Sequence, residues 1–254
     1  MARLKLKTTI FILISGFLVA CGNNGSLSSS QLSSTTGDDN SSSGISTPDP
    51  TPTPSPSPSP TVTPTPTTSP SPGALAVAPI WEAAKSDGKL WTAHVMTQLD
   101  VLGDDLLDVI PADGTTFCPK YNSLTRDQRK NFWVYLLSQM TKYESSFNTN
   151  LNYTENFNDS SGNNVISAGL LQLSVESGNA YGCGLKSTND LHDPYKNLSC
   201  GIRILNRWMG KDARIAGQVS GSWKGGARYW AVLRSTNSPY AKIVAATKAI
   251  SICK

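Results

Sequence analysis

Residues 47–72 read TPDPTPTPSPSPSPTVTPTPTTSPSP, a run that cannot join a packed core. Proline at nearly every second position removes backbone donors and fixes φ, and almost no apolar surface is offered for burial in return. Together with the Ser-, Thr-, Gly- and Asn-rich residues before it, the stretch 21–73 reads as a polyproline-II-like tether. Its proline-rich part reaches ~80 Å at about 3.1 Å per residue. A ligand for an SH3-type module has the same composition; the spacer reading is taken because of what precedes it. What folds lies after the tether, in residues 74–254, about the length of one domain with room for a real core.

Residues 1–20 read as an export signal. Arg3, Lys5 and Lys7 make a positive n-region, and the apolar stretch IFILISGFLVA is short for a membrane span. It ends in Leu18-Val19-Ala20-Cys21, which resembles a bacterial lipobox, so Cys21 is the expected site of acylation and of a membrane anchor. Ordinary secretory cleavage would leave a similar run. The expected location is exported, on a lipid anchor facing the periplasm or the cell exterior. An oxidising compartment makes disulfides the default for Cys118, Cys183, Cys200 and Cys253. Three pairings exist; Cys183–Cys200 and Cys118–Cys253 are favoured, the second tying the chain end to the body.

Beyond the tether the pattern is mainly helical. Thr125 as N-cap with Gln128 three residues on forms a capping-box signature, and Trp133, Leu136, Leu137, Met140 and Phe147 follow on one helical face. Asp193-Pro194 opens a second helix with Tyr195, Leu198, Ile202, Leu205 and Met209 as its core face, and Ser238-Pro239 opens a third. Residues 89–103 and 226–234 are expected to be helical as well. The polar stretch 148–167 has room for a small β-hairpin. The expected fold class is α+β, mainly helical.

One residue does not fit that core. Glu144 lies four residues after Met140 and seven after Leu137, so it shares the apolar stripe. A buried carboxyl without a partner is held protonated by desolvation, and the helix C-terminus adds to the effect. Those are the conditions for a general acid near neutral pH. A structural ion pair with an arginine is the alternative. Other chemistries are poorly supplied: the two histidines, His94 and His192, have no zinc-site spacing, and no nucleophile elbow or P-loop occurs. No metal and no organic cofactor is expected. From Cys200 onward Asp212 is the only acid among ten Lys and Arg residues, a balance suited to an anionic partner, although no nucleic-acid motif accompanies it. A monomer is expected.

Three segments carry a family resemblance. Glu144-Ser145-Ser146-Phe147 at a helix end, Gly169-Leu170-Leu171-Gln172-Leu173, and Asp193-Pro194-Tyr195-Lys196-Asn197-Leu198-Ser199-Cys200-Gly201 resemble, in order, the motifs of lytic transglycosylases and goose-type lysozymes. The resemblance implies a lysozyme-like fold whose β-hairpin region lines a cleft. It further implies cleavage of the β-1,4 bond between muramic acid, N-acetylated or not, and glucosamine units of peptidoglycan glycan strands. A narrower resemblance, to exported lysozymes of predatory bacteria that act on deacetylated wall, rests on no residue that reports acetylation.

By that resemblance Glu144 protonates the leaving oxygen, while Ser167, Gly169, Leu170 and Gln172 line the cleft. Tyr229 stands at the family's tyrosine position, as a sugar or Glu144 partner or as a core aromatic. Trp223 and Trp230 are either sugar platforms or packing. A second carboxylate has three candidates, Glu155, Asp159 and Glu176, of which Asp159 is taken as the water-activating base. Without one, the sugar's own 6-hydroxyl attacks and leaves an anhydro end. The alternatives to catalysis are a wall-binding lipoprotein that keeps the fold without the chemistry, and a protein inhibitor or scaffold.

Overall fold

The structure, a computed structural model, describes residues 77–254; the signal, Cys21 and the tether lie outside the described residues. In chain order the helices and strands are α1 (Trp81–Ala84), α2 (Gly88–Leu102), α3 (Asp104–Asp108), α4 (Gly114–Phe117), α5 (Arg126–Ser145), β1 (Asn152–Asn158), β2 (Asn164–Ala168), α6 (Val175–Ala180), α7 (Pro194–Asp212), β3 (Ala216–Val219), β4 (Ser222–Gly225) and α8 (Ser238–Ala249). The fold is thus mainly helical with two small antiparallel sheets, β1–β2 and β3–β4.

Helix α5 is the axis of the core. Thr125 and Gln128 close the expected capping box, with Gln128 N–H on Thr125 Oγ1 at 3.3 Å and Thr125 N–H on Gln128 Oε1 at 2.9 Å. Trp133, Leu136, Leu137 and Met140 are wholly buried along one stripe. The helix stops at Ser145, because Ser146 (φ 53°) and Phe147 (φ 62°) turn left-handed and the Ser146 amide bonds back to Lys142 O. Phe147 therefore reaches the core by that turn and not by helical spacing. In α7 the Asp193 carboxylate accepts from Tyr195 N–H at 2.8 Å, and Leu198, Ile202, Leu205 and Met209 are buried as expected. Tyr195 is not core: it is 37% exposed, its ring edge-on to His94 at 5.0 Å.

The helix expected over 226–234 does not form. Two 3-10 turns, Gly226–Arg228 and Ala231–Leu233, flank an extended Trp230. Buried Trp230 spends its indole N–H on Leu171 O at 2.9 Å, and a continuous helix cannot make that reach. Helix α8 begins one residue early, with Asn237 at the cap position.

The β3–β4 hairpin is docked by a buried acid: Asp113 accepts from Ile215 N–H at 2.8 Å and Ala216 N–H at 3.0 Å. Both favoured disulfides are closed, Cys118–Cys253 and Cys183–Cys200. The bridges join residues 135 and 17 positions apart, and each removes loop freedom from the unfolded chain.

Candidate active site

Glu144 occupies the last turn of α5 and is only partly accessible, yet among the described residues its carboxyl has no hydrogen-bond or ion-pair partner. Protein atoms crowd the carboxyl, although the residue as a whole keeps some access to solvent. Burial pushes its pKa up to about 8, and the negative charge of Glu155 adds to the shift. The alternative, an ion pair with an arginine, is not formed among the described residues. This carboxyl holds its proton at neutral pH and, among the described residues, has no group to share it with.

Glu155 comes from the first hairpin. Strands β1 and β2 pair Tyr153 with Ser167 and Thr154 with Ile166, after which the register shifts before Asn158 meets Asn164. Ser167 Oγ donates to Glu155 Oε1 at 2.6 Å, fixing the carboxylate on the face that adjoins Glu144. Asp159 sits elsewhere: its Oδ1 accepts from the Ser161 and Asn163 amides, both at 2.9 Å, and so shapes the hairpin turn. Glu176 accepts from Ser160 N–H at 3.1 Å and clamps that turn to α6. The structure thus brings Glu155 to Glu144, and assigns the other two acids to the loop. Sequence reasoning favoured Asp159 because it lies in the loop where goose-type lysozymes carry an acid; the register of the irregular strand, which sets the place of Glu155, is invisible in composition.

The Gly169–Leu173 segment is held by residues of the other two motifs. Asn197, wholly buried on α7, donates from Nδ2 to Ala168 O and Leu191 O, each at 3.0 Å, and accepts Leu171 N–H at 2.9 Å. Gly169 has φ 75°, and a Cβ there would overlap Leu191 O and Asn197 Nδ2, so only glycine fits. Ser145 Oγ donates to Leu170 O at 2.9 Å, tying the end of α5 to the same segment. Leu170 itself is wholly buried and presents backbone alone. Gln172 is left-handed (φ 48°) and spends its amide nitrogen on Gly169 O at 2.9 Å and Leu151 O at 3.1 Å, which leaves its side-chain oxygen as the group open to a ligand. The sequence motifs carried Asn197, Ser145 and Trp230 without their roles; all three brace this segment.

Tyr229 does not bond Glu144. Its hydroxyl pairs with Ser177 Oγ at 2.5 Å, and burial pushes its pKa up to about 12, with the Glu144 charge a minor contributor. It remains close enough to Glu144 for the two to interact electrostatically. Trp230 is 2% exposed and cannot stack on a sugar. Trp223 is half-buried on β4, with the Arg234 guanidinium 5.7 Å from its ring centre. Next to Tyr229, Arg228 grips Asp212 through Nε at 2.6 Å and a second nitrogen at 2.8 Å, which fixes the turn carrying the tyrosine. Among the described residues no group of three or more His, Cys, Asp or Glu is gathered as an ion site.

Residues 122–241 match the family described as Transglycosylase SLT domain, a span that covers Glu144, Glu155, the Gly169–Leu173 segment and Tyr229. Among solved structures the chain is similar to Bd0314 DslA, a Bdellovibrio lysozyme-like protein, in its wild-type form 2, at 60% identity and TM-score 0.70. That match covers 71% of this chain and 100% of the other. Two variants of the same protein, each with one glutamate changed to glutamine, match with the same figures. No curated protein matches. The expected lysozyme-like fold is thereby shown, and the chain belongs to the transglycosylase SLT domain family of lysozyme- and lytic-transglycosylase-like glycosidases, which act on peptidoglycan.

Proposed function

We propose that the domain hydrolyses the β-1,4 bond between muramic acid and glucosamine units, with Glu144 as general acid and Glu155 as the second carboxylate. The observation that carries this reading is the unpartnered, protonated carboxyl of Glu144 beside the negative charge of Glu155. A proton held to about pH 8 is available for the leaving glycosidic oxygen at neutrality. Glu155, oriented by Ser167, supplies negative charge for the cation-like anomeric carbon and an acceptor for the attacking water. The similar solved protein supports the pairing: its two glutamate-to-glutamine variants lie eleven positions apart, as do Glu144 and Glu155. Gln172 Oε1 and backbone groups of Gly169 and Leu170 serve as sugar contacts. Asp159 keeps its turn role.

The chain is proposed to work outside the cytoplasm, held by an acyl anchor on Cys21 and reaching the wall along the tether. Fatty-acid labelling that persists in Cys21→Ala would overturn the anchor. For the reaction, products from acetylated and de-N-acetylated sacculi are resolved by mass spectrometry. Reducing ends that vanish in Glu144→Gln are expected; anhydro ends from the wild type would replace hydrolysis by the lytic route, and undiminished lysis in Glu144→Gln would remove Glu144 from its role. Wall binding without product from the wild type would leave a binding lipoprotein.

A further inference from the structure

The first hairpin leaves an aromatic ring in water on the side where rings are normally covered. Tyr153 and Ser167 are directly opposed across β1 and β2, so their side chains share one face. Ser167 holds Glu155 on that face through its 2.6 Å hydrogen bond, and Val165, two residues from Ser167 along β2, belongs to it as well. Val165 is buried, and Ser167 and Glu155 are half-buried, so this face is turned toward the body of the domain. The other face carries Asn152, Thr154 and Ile166, which are exposed, and Ala168, which is wholly buried, and its Asn152 meets His192 at 2.8 Å. Tyr153 is nevertheless 51% exposed. Among the described residues no ring or cation stacks on it, and its hydroxyl has no partner. Tyr153 thus stands open on the face of the hairpin that carries the Ser167–Glu155 pair.

We propose that Tyr153 is a stacking platform for a sugar ring of the glycan strand, on the same face as the Ser167–Glu155 pair. Pyranose rings present a flat patch of C–H bonds and a rim of hydroxyls. The patch matches the face of a phenol ring, and the rim is served by the tyrosine hydroxyl and neighbouring polar groups. The platform rests on the glycosidase reading of the site for its ligand. A lipid surface would take an exposed aromatic too, but the polar Ser167–Glu155 pair beside Tyr153 opposes burial in hydrocarbon.

Two measurements test it. Kinetics on solubilised glycan strands compare the wild type with Tyr153→Ala, Tyr153→Trp and Ile166→Ala, the last an exposed side chain on the opposite face of the hairpin. Tyr153→Ala should raise KM about tenfold with kcat nearly unchanged, Tyr153→Trp should restore KM, and Ile166→Ala should do nothing. Binding of uncleaved strands to Glu144→Gln, with and without Tyr153→Ala, reads the platform apart from the reaction, and should weaken by the same factor. An unchanged KM and affinity in Tyr153→Ala would overturn the platform, as would equal losses in Tyr153→Ala and Ile166→Ala. Tyr153-dependent binding by a wild type that cleaves nothing would keep the platform and overturn the glycosidase reading.

Discussion

Asp113 and Glu144 are both carboxyls withdrawn from water, and burial raises the pKa of both, yet they are built for opposite ends. Asp113 is answered by the amides of Ile215 and Ala216. Those fixed dipoles also dock a hairpin, so the acid is part of the scaffold. Glu144 is answered by no group among the described residues and is pushed further by a second acid. Burial alone therefore does not mark a reactive group. What marks one is burial that the fold leaves uncompensated, because the missing partner is the substrate.

The contrast is broken most directly at Glu144. Glu144→Gln should fold and bind wall while losing ~10³-fold or more in turnover, the upper part of the usual range for a general acid. It should also gain stability relative to the wild type as pH rises. Because the folded pKa is raised, the wild type's stability is intact below 4.5 and erodes up to about 8, as ionisation opposes burial. Thermal melts from pH 4 to 9 check the sign, and an advantage that shrinks with pH would refute it. Glu155→Gln should lose about 10²-fold in turnover. Removing its charge lowers the pKa of Glu144, so the alkaline limb of the pH–rate profile, near about 8 in the wild type, should move to lower pH.

Asp113→Asn should do the reverse. One of its two amide partners is left facing an NH2 group, at a cost of about 2 kcal/mol, read as a Tm lower by roughly 6 °C with KM unmoved. A change in KM without a change in Tm would show that the two acids are less distinct than their partners imply. Ser167→Ala should be the mildest. Glu155 stays but is less well oriented, and kcat/KM falls about fivefold.

Much of this arrangement was readable from residue order. The capping box of α5, the Asp193-Pro194 start of α7 and the apolar stripe interrupted by Glu144 are local or periodic signals, and local signals survive in a string of letters. Glu155 and Asn197 were harder. Glu155 acquires meaning only when the strand register places it against Ser167, and Asn197 only when a distant loop folds over it. The segment 226–234 misled for the same reason: its residues tolerate a helix, and the pull of Leu171 O on the Trp230 indole decides otherwise. Long-range pairing wins over propensity at the places where a site is assembled.

The bridge from Cys118 to Cys253 closes a ring of the chain, its ends 135 positions apart, and every residue assigned here to chemistry or sugar contact lies within it. A single peptide cleavage anywhere inside that ring, by a protease met outside the cell, yields no separate fragment. The nicked enzyme would still travel as one covalent body and would separate on a gel only after reduction.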